Sequence, residues 1–155
     1  MNKDFMMRAI ELSKINMHNG AGGPFGSVIV KDGKIIGEGW NKVTSTNDPT
    51  AHAEVVAIRD ACDRAQNFSL EGSEIYTSCE PCPMCLAAIY WARIDKIYYA
   101  NTRGDAAFIK FDDDFIYQEI PKEIKDRKIP MEQCGHTEAY EVFKEWLNKA
   151  DKIHY

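Results

Sequence analysis

The sequence has little that would place the protein in a membrane or on nucleic acid. It has no apolar run near the roughly 20 residues that cross a bilayer, and its first residues lack the apolar segment of a secretory signal. Lys and Arg number 19 against 24 Asp and Glu, whereas nucleic acid phosphates favour a surplus of Lys and Arg. We therefore expect no membrane partner and no nucleic acid partner, but a small neutral or weakly charged substrate.

Cysteine is also scarce, and its number is odd. The 155 residues contain five: Cys62, Cys79, Cys82, Cys85 and Cys134. Because no secretory segment is present, the expected location is the reducing cytoplasm. Clustered cysteines there hold metal or do chemistry more often than they pair as disulfides. A disulfide framework is set aside for this reason.

The pattern of apolar residues predicts one α/β domain over residues 1–155. An amphipathic helix starts the chain, with Asp4 as a candidate cap, and "KDGK" is the turn of a two-stranded hairpin. The segments "SEIYTSCE", "CPMCLAAIYWAR" and "DKIYYAN" read as strand, helix and strand, so these two strands should be parallel. The length and the 45% apolar content suit a single core.

The second half of the chain predicts less regular structure. "IPMEQC", residues 129–134, is a candidate for one more strand. "TEAYEVFKEWLNKAD" predicts a last helix, capped by Thr137 and buried through residues such as Phe143 and Leu147. The expected fold is a three-layer α-β-α sandwich around a five-stranded mixed sheet.

Three residues have the types and the spacing of a zinc site. Cys82 and Cys85 are three apart at the start of a predicted helix, where the helix dipole favours thiolates. His52 offers a third ligand at the start of the other helix. One imidazole and two thiolates suit Zn²⁺ better than Mg²⁺ or Ca²⁺, and three protein ligands leave a fourth position for water.

Glu54 favours a catalytic metal over a structural one. A hydrolytic zinc site needs a base for its water and an acid for the departing amine, and one carboxylate beside the metal serves both purposes. H-x-E followed by P-C-x-x-C is the known signature of zinc-dependent deaminases. The alternative is a closed structural site in which Cys79 is the fourth ligand and Glu54 merely complements the helix dipole.

In these motifs the chain resembles the cytidine deaminase superfamily and, within it, the bacterial guanine deaminases. The resemblance runs from residue 1 to residue 155. Besides the zinc motifs it rests on "GGPFGSVIVKDGKII", "NDPTAHAEVVAIR", "FDDDFIYQEI" and the terminal tyrosine. The zinc motifs alone identify the superfamily, and the last two features point to the guanine-specific branch.

The resemblance implies a reaction and a set of roles. Water activated by one zinc ion per subunit attacks C2 of guanine and yields xanthine and ammonia. The implied zinc ligands are His52, Cys82 and Cys85. The implied catalytic residues are Glu54, which carries the proton, and Asp113, which assists at the leaving amino group.

The resemblance also implies the substrate contacts and the assembly. The implied purine contacts are Phe25, Asn41, Ala53, Trp91 and Tyr155. The expected assembly is a homodimer. Tyr155 closes a site, which is either its own subunit's or, with a swapped C-terminal tail, the neighbouring subunit's.

Taken from the residues alone, several of these positions have plain alternatives. Asn41 at a strand end is also a typical turn residue, and Phe25 and Trp91 are ordinary core types. "DDD" at residues 112–114 reads equally well as a solvated acidic turn, and nothing in the pattern selects Asp113 from its neighbours.

Other functions compete with guanine deamination. Guanosine, cytosine or tRNA adenosine are alternative substrates, although a tRNA enzyme should carry a basic surface that this sequence does not display. A non-catalytic zinc-binding module is the alternative outside enzymes, and the presence of Glu54 argues against it.

Overall fold

The computed structural model of the protein describes residues 1–154 and divides the chain into two units, Met1–Asp114 and Phe115–Tyr155. The first unit contains the sheet and every candidate site residue except Tyr155, which lies outside the described residues. The prediction of a single domain over residues 1–155 stays a prediction.

A four-stranded sheet forms the centre of the first unit. Its strands are β1 (Gly26–Lys31), β2 (Lys34–Trp40), β3 (Ser73–Cys79) and β4 (Lys96–Asn101), in the order β2-β1-β3-β4. Strand β1 pairs antiparallel with β2 and with β3, and β3 pairs parallel with β4. Asp32 and Gly33 close the hairpin with φ of 51° and 71°. The predicted hairpin and the predicted parallel pair are therefore confirmed.

The prediction of a fifth strand was wrong. Residues 129–134 have no regular secondary structure. Pro130 has no N–H to donate to a ladder, and the polar Glu132 and Gln133 follow one another, so the segment lacks the alternation of a half-buried strand. The mixed sheet has four strands within the described residues.

Helices make up most of the remaining structure. They are α1 (Lys3–His18), α2 (Val43–Thr46), α3 (Ala53–Ala65), α4 (Pro83–Trp91), α5 (Arg103–Phe108), α6 (Asp114–Glu119), α7 (His136–Asn148) and a short 3-10 helix, Ile124–Asp126. The cap of α1 is Asn2, whose side chain accepts from the Asp4 N–H, so the predicted cap was two residues late. None of the helices in residues 1–154 combines the length and the apolar character that crossing a bilayer requires.

Helices cover both faces of the sheet because successive strand residues point to opposite sides. On one face Val28 and Tyr76 pack with Leu12 of α1. On the other face Ile29 and Ile75 pack with the alanines of α3 and with α4. The expected three layers, helix, sheet and helix, are therefore present around the four strands.

Helix α3 lies unusually close to β2. A Cβ placed on Gly39 would be 2.2 Å from the backbone oxygen of Ala53, and one on Gly37 would be 2.6 Å from the Ala61 Cβ. Since Ala53 and Ala61 are fully buried, this glycine and alanine contact leaves no room for larger residues. It fixes the first turn of α3, and with it the residues that begin the helix.

The second unit, Phe115–Tyr155, is built around α7. The residue before the helix, Gly135, is its cap with φ 66°, so the predicted Thr137 cap was wrong. In the single chain Phe143 is 70% exposed and Leu147 is 69% exposed, which contradicts their predicted burial. None of the described residues from 115 to 154 is buried.

Candidate active site

The predicted zinc ligands lie together at the starts of two helices. His52 is the N-cap of α3, Cys82 is the N-cap of α4, and Cys85 lies in the first turn of α4. The Nδ1 of His52 is 3.6 Å from the Cys82 Sγ and 3.5 Å from the Cys85 Sγ. The three ligand atoms all lie within 4.8 Å of one another.

Local sequence accounts for this placement. Strand β3 ends at Cys79, and Pro83 occupies the first turn of α4, where its missing N–H is not needed. The chain therefore turns sharply from strand to helix and presents Cys82 at the turn. His52 reaches the same point because α3 packs directly on β2.

The donor set and its spacing fit zinc. A tetrahedral zinc ion with bonds of about 2.3 Å to sulfur and about 2.0 Å to nitrogen holds those atoms roughly 3.5 Å apart. The two observed separations between sulfur and nitrogen, 3.6 Å and 3.5 Å, agree with that value. One imidazole and two thiols are also the ligand types that zinc prefers.

Cys79 does not join this group. Its thiol lies 3.6 Å from the carbonyl oxygen of Thr102, and burial raises its pKa to about 11. A thiol that resists ionisation is a poor zinc ligand, since the thiolate is the binding form. The described residues thus bring three ligands together, and the closed four-ligand alternative gains no support.

The charges of the three candidate ligands influence one another. A hydrogen bond with the Cys85 thiol lowers the pKa of Cys82 to about 4, and the same pairing raises the pKa of Cys85. The hydrogen bond with Cys82 raises the pKa of His52. The lowered pKa of Cys82 favours its thiolate form, which is the form that binds a cation.

Glu54 is a buried acid beside the ligands. It lies in the first turn of α3 and is 6% exposed. Burial raises its pKa, and its carboxyl group contacts the Cys85 thiol. A carboxyl group whose proton is held more tightly than in water is suited to accept and return a proton near neutral pH.

The surroundings of Asp113 differ from those of its two acidic neighbours. Asp112 accepts a hydrogen bond from the backbone N–H of Asp114, and Asp114 lies 3.4 Å from the guanidinium of Arg103. Asp113 is the less exposed of the three, and burial raises its pKa, with a further contribution from the charge of Cys82. Burial and the charge of Cys82 therefore distinguish Asp113 from the other two acids of this run.

Two aromatic rings hold the acidic segment against the rest of the first unit. Phe25 and Phe111 meet edge to face, with centroids 5.0 Å apart and planes at 85°. This contact joins the residue before Asp112 to the loop that leads into β1. Phe25 is partly buried, and its predicted role in lining the substrate pocket stays a prediction.

Asn41 and Ala53 also lie at this end of the sheet. The Asn41 N–H donates to the Phe25 carbonyl, and the N–H of the next residue, Lys42, donates to the Ala51 carbonyl, next to His52. Asn41 is 6% exposed, and Ala53 is fully buried at the start of α3.

One predicted substrate contact, Trp91, is not brought to this group, and another, Tyr155, lies outside the described residues. Trp91 is the last residue of α4, about 13 Å along the helix axis from Cys82 at 1.5 Å per residue. It is 67% exposed and lines a surface depression of about 390 Å³ with Ala87, Tyr90 and Arg93.

Sequence reasoning missed the groups that hold Asn41. The backbone N–H groups of Gly23 and Val43 each donate to the Asn41 Oδ1 at 3.2 Å. Backbone donors leave no residue-type signature. The one sequence feature that hints at this contact is the glycine-rich segment "GGPFG", and such segments are also common in ordinary turns.

Comparison with known proteins points to one family. Residues 1–101 match the family described as "Cytidine and deoxycytidylate deaminase zinc-binding region". A guanine deaminase from Bacillus subtilis (strain 168) is 53% identical over 154 residues, covering 99% of this chain and 99% of the relative. A tRNA-specific adenosine deaminase from Aquifex aeolicus is 47% identical over 77 residues, about half of each chain.

Solved structures agree with the sequence relatives. The X-ray structure of guanine deaminase from Bacillus subtilis superimposes with a TM-score of 0.96 at 53% identity, covering 100% of this chain and 99% of that chain. A guanine deaminase from Nitrosomonas europaea gives 0.69 at 28% identity over 73% of this chain. The chain is therefore a homologue of guanine deaminase with a zinc-binding deaminase domain.

Proposed function

The chain belongs to the cytidine and deoxycytidylate deaminase family, and from that premise we propose that it hydrolyses guanine to xanthine and ammonia. The observation that carries the chemistry is the convergence of His52, Cys82 and Cys85 beside the buried carboxyl group of Glu54. The choice of guanine is supported by the 53% identity to a guanine deaminase over nearly the whole chain.

The proposed roles follow from the site. His52, Cys82 and Cys85 hold zinc, which when bound lowers the pKa of a water molecule towards neutrality. Glu54 takes the proton that this water gives up and returns it to the purine ring as the bond to C2 forms. Asp113 supplies a proton to the departing amino group and takes up the proton of the C2 hydroxyl, so that the C–N bond breaks, ammonia leaves and the C2 carbonyl of xanthine forms.

Burial supports this division of labour between the two acids. It raises the pKa of both carboxyl groups, most directly for Glu54, which is 6% exposed. Two acids in different environments can hold different protonation states at one pH. The reaction needs that difference, because one group must accept a proton while the other gives one.

We assign the substrate contacts to the residues around this cluster. Phe25 packs against the face of the base, Asn41 bonds its edge, and the backbone at Ala53 borders the base. Their support is position: Asn41 is hydrogen-bonded to the Phe25 backbone and adjoins the segment that ends at His52. The predicted purine contacts of Trp91 and Tyr155 stay predictions.

We further propose that the protein is a homodimer in which the C-terminal unit covers the neighbouring subunit, with Tyr155 closing its site. The exposed apolar side chains of α7 support this, because Phe143 and Leu147 are each more than two-thirds exposed in a single chain. Tyr90 and Trp91 form a second exposed aromatic surface, at 77% and 67% exposure. Apolar patches of this kind mark interfaces.

The cytoplasm, predicted from cysteine usage, is the proposed location of the protein.

A panel of bases and nucleosides tests the proposal. Purified zinc-loaded protein is incubated with guanine, guanosine, cytosine, adenine and a tRNA anticodon stem, and ammonia is measured for each. We expect release from guanine, with xanthine as the second product. Turnover of cytosine or tRNA adenosine without xanthine formation would overturn the substrate and leave the deaminase chemistry in place.

A further inference from the structure

The turn that leads into β1 lies directly against Asn41. Gly22 in this turn does not have a positive φ, so its backbone conformation does not require glycine. Space does require it. A Cβ on Gly22 would lie 2.3 Å from the Asn41 Oδ1, 2.4 Å from the Asn41 backbone oxygen and 2.8 Å from its carbonyl carbon. Any side chain at residue 22 would have to displace Asn41, backbone included.

The same turn determines which way the Asn41 amide points. The backbone N–H groups of Gly23 and Val43 both donate to the Asn41 side chain, each at 3.2 Å. Both partners are donors, so they select the oxygen of the amide and exclude the alternative orientation in which nitrogen would face them. The amide nitrogen, Nδ2, therefore points away from the turn.

Nδ2 remains available for a ligand. Within residues 1–154, no hydrogen bond of the Asn41 Nδ2 is found, and no fully buried side-chain nitrogen or oxygen lacks a partner. Nδ2 must therefore reach accessible space, even though Asn41 as a whole is 6% exposed. Through its backbone, Asn41 donates to the Phe25 carbonyl, and the next residue, Lys42, donates to the Ala51 carbonyl beside His52.

We propose that Gly22 is a positioning residue for substrate recognition. Its missing side chain lets Asn41 lie against the turn with Oδ1 bound to two backbone N–H groups, so that Asn41 meets the substrate as a hydrogen-bond donor. The inference rests on the proposed function. A fixed donor fits the lone pairs of a purine base, which in guanine are at N3, N7 and O6, and does not fit its N–H groups.

The first test is Gly22→Ala. The added methyl group moves Asn41, and the donor is lost to substrate and transition state alike, so KM for guanine rises about tenfold while kcat stays within about twofold. Zinc content and melting temperature are measured alongside. Gly104→Ala is the matched control, because the nearest heavy atom to its Cβ is at 3.5 Å, an ordinary contact.

A double mutant separates an effect through Asn41 from a general disturbance. If Gly22 acts by placing Asn41, then Gly22→Ala added to Asn41→Ala lowers kcat/KM no further than Asn41→Ala alone. Independent, multiplied losses in the double mutant would overturn the inference. A fall in kcat of Gly22→Ala with unchanged KM would overturn it too, since the effect would then lie on the reacting groups.

Asn41→Asp tests the orientation even where Gly22→Ala does not fold. One carboxylate oxygen would accept the two backbone N–H groups, and the other would replace Nδ2 with an acceptor that repels the purine lone pair. Binding is measured directly by fluorescence in a Glu54→Gln background, which holds guanine without turnover. We expect at least a tenfold loss of guanine affinity. Unchanged affinity would show that Asn41 does not act as a donor.

These results keep the two proposals apart. If the proposed function fails, the wild-type protein releases no ammonia from guanine and the Glu54→Gln variant does not bind guanine. If the positioning inference alone fails, the wild-type protein turns over guanine, and Gly22→Ala behaves like Gly104→Ala.

Discussion

The Sγ of Cys82 lies 3.6 Å from the Nδ1 of His52, and each of these two residues is the N-cap of its helix. Two helix N-termini therefore meet at one point. Their free N–H groups and positive dipole ends favour negative charge, which stabilises thiolate ligands. The backbone of α3 and α4 thus contributes to the chemistry as well as holding the side chains.

Replacing Glu54 with Gln should remove turnover and leave the metal site intact. Gln has nearly the same size and keeps the hydrogen-bonding capacity of the buried position, but it cannot transfer a proton. We expect kcat for guanine to fall by about 10²–10⁴-fold, the usual contribution of a general acid–base group. Xanthine formation followed by absorbance, together with zinc content per chain, checks this.

Glu71→Gln is the control for that variant, because it changes an exposed carboxylate away from the candidate site. It should retain wild-type turnover. A Glu54→Gln protein with near-normal activity would remove Glu54 from the proton path.

The three-ligand site predicts different outcomes for neighbouring cysteines. Cys79→Ser should retain one zinc ion per chain and retain turnover, because the Cys79 thiol is directed to the Thr102 carbonyl. Cys82→Ser should lose both, since a hydroxyl replaces a thiolate ligand. Metal analysis after dialysis against a weak chelator measures the difference. Loss of zinc in Cys79→Ser would instead support a closed four-ligand site.

The acidic run predicts that one aspartate of three affects catalysis. Asp113→Asn should lower kcat for guanine at least tenfold, because its amide cannot protonate the leaving amino group. Asp112→Asn and Asp114→Asn should stay within about threefold of wild type, since their bonds are to a backbone N–H and to Arg103 on the surface. Equal losses in all three variants would show that the segment matters as a whole and that Asp113 has no special role.

The contact between α3 and β2 predicts a coupling of stability to metal binding. Gly39→Ala places a methyl group 2.2 Å from the Ala53 carbonyl, so the start of α3 must move. We expect the free energy of unfolding to fall by about 1–3 kcal/mol, the usual cost of overpacking, and zinc to dissociate more readily because His52 begins that helix. Denaturant melts and zinc retention measure both effects. Gly104→Ala should change neither, and a stable Gly39→Ala protein that releases zinc no faster would contradict the coupling.

The proposed role of Tyr155 predicts that its removal affects turnover more than folding. Removing Tyr155 should lower kcat/KM for guanine while the melting temperature changes little, if this residue closes a site. Tyr155→Phe distinguishes loss of the hydroxyl from loss of the ring. Sedimentation of each variant reports the oligomeric state. A fully active truncated protein would show that the residue has no part in the reaction.

Local signals predicted much of the first unit. The Asp32-Gly33 turn, the parallel pairing of β3 with β4 and the placement of His52 and Cys82 at helix starts were all correct. Each depends on interactions within a few residues or on a connection whose handedness and length are strongly restricted. Such features can be recognised without knowledge of the rest of the chain.

Long-range packing explains the predictions that were wrong. Residues 129–134 needed a partner strand to become one, and the pattern of a single segment does not show whether an edge is available. The apolar face of α7 was correctly identified as a surface to be covered, but Phe143 is 70% exposed in one chain. Periodicity predicts that a face is apolar and does not tell what covers it.

The amino-acid sequence by itself determined the types of ligand and acid, because H-x-E and P-C-x-x-C place imidazole, thiolates and a carboxylate at helix starts through local rules alone. The tertiary structure decided the surroundings of each member of the ambiguous sets. It places the Cys79 thiol against the Thr102 carbonyl, leaves Asp113 less exposed than Asp112 and Asp114, and holds the Asn41 amide through contacts with Gly22 and Gly23. Those choices depend on distances between segments far apart in the chain, and such distances exist only after the sheet and its helices have packed.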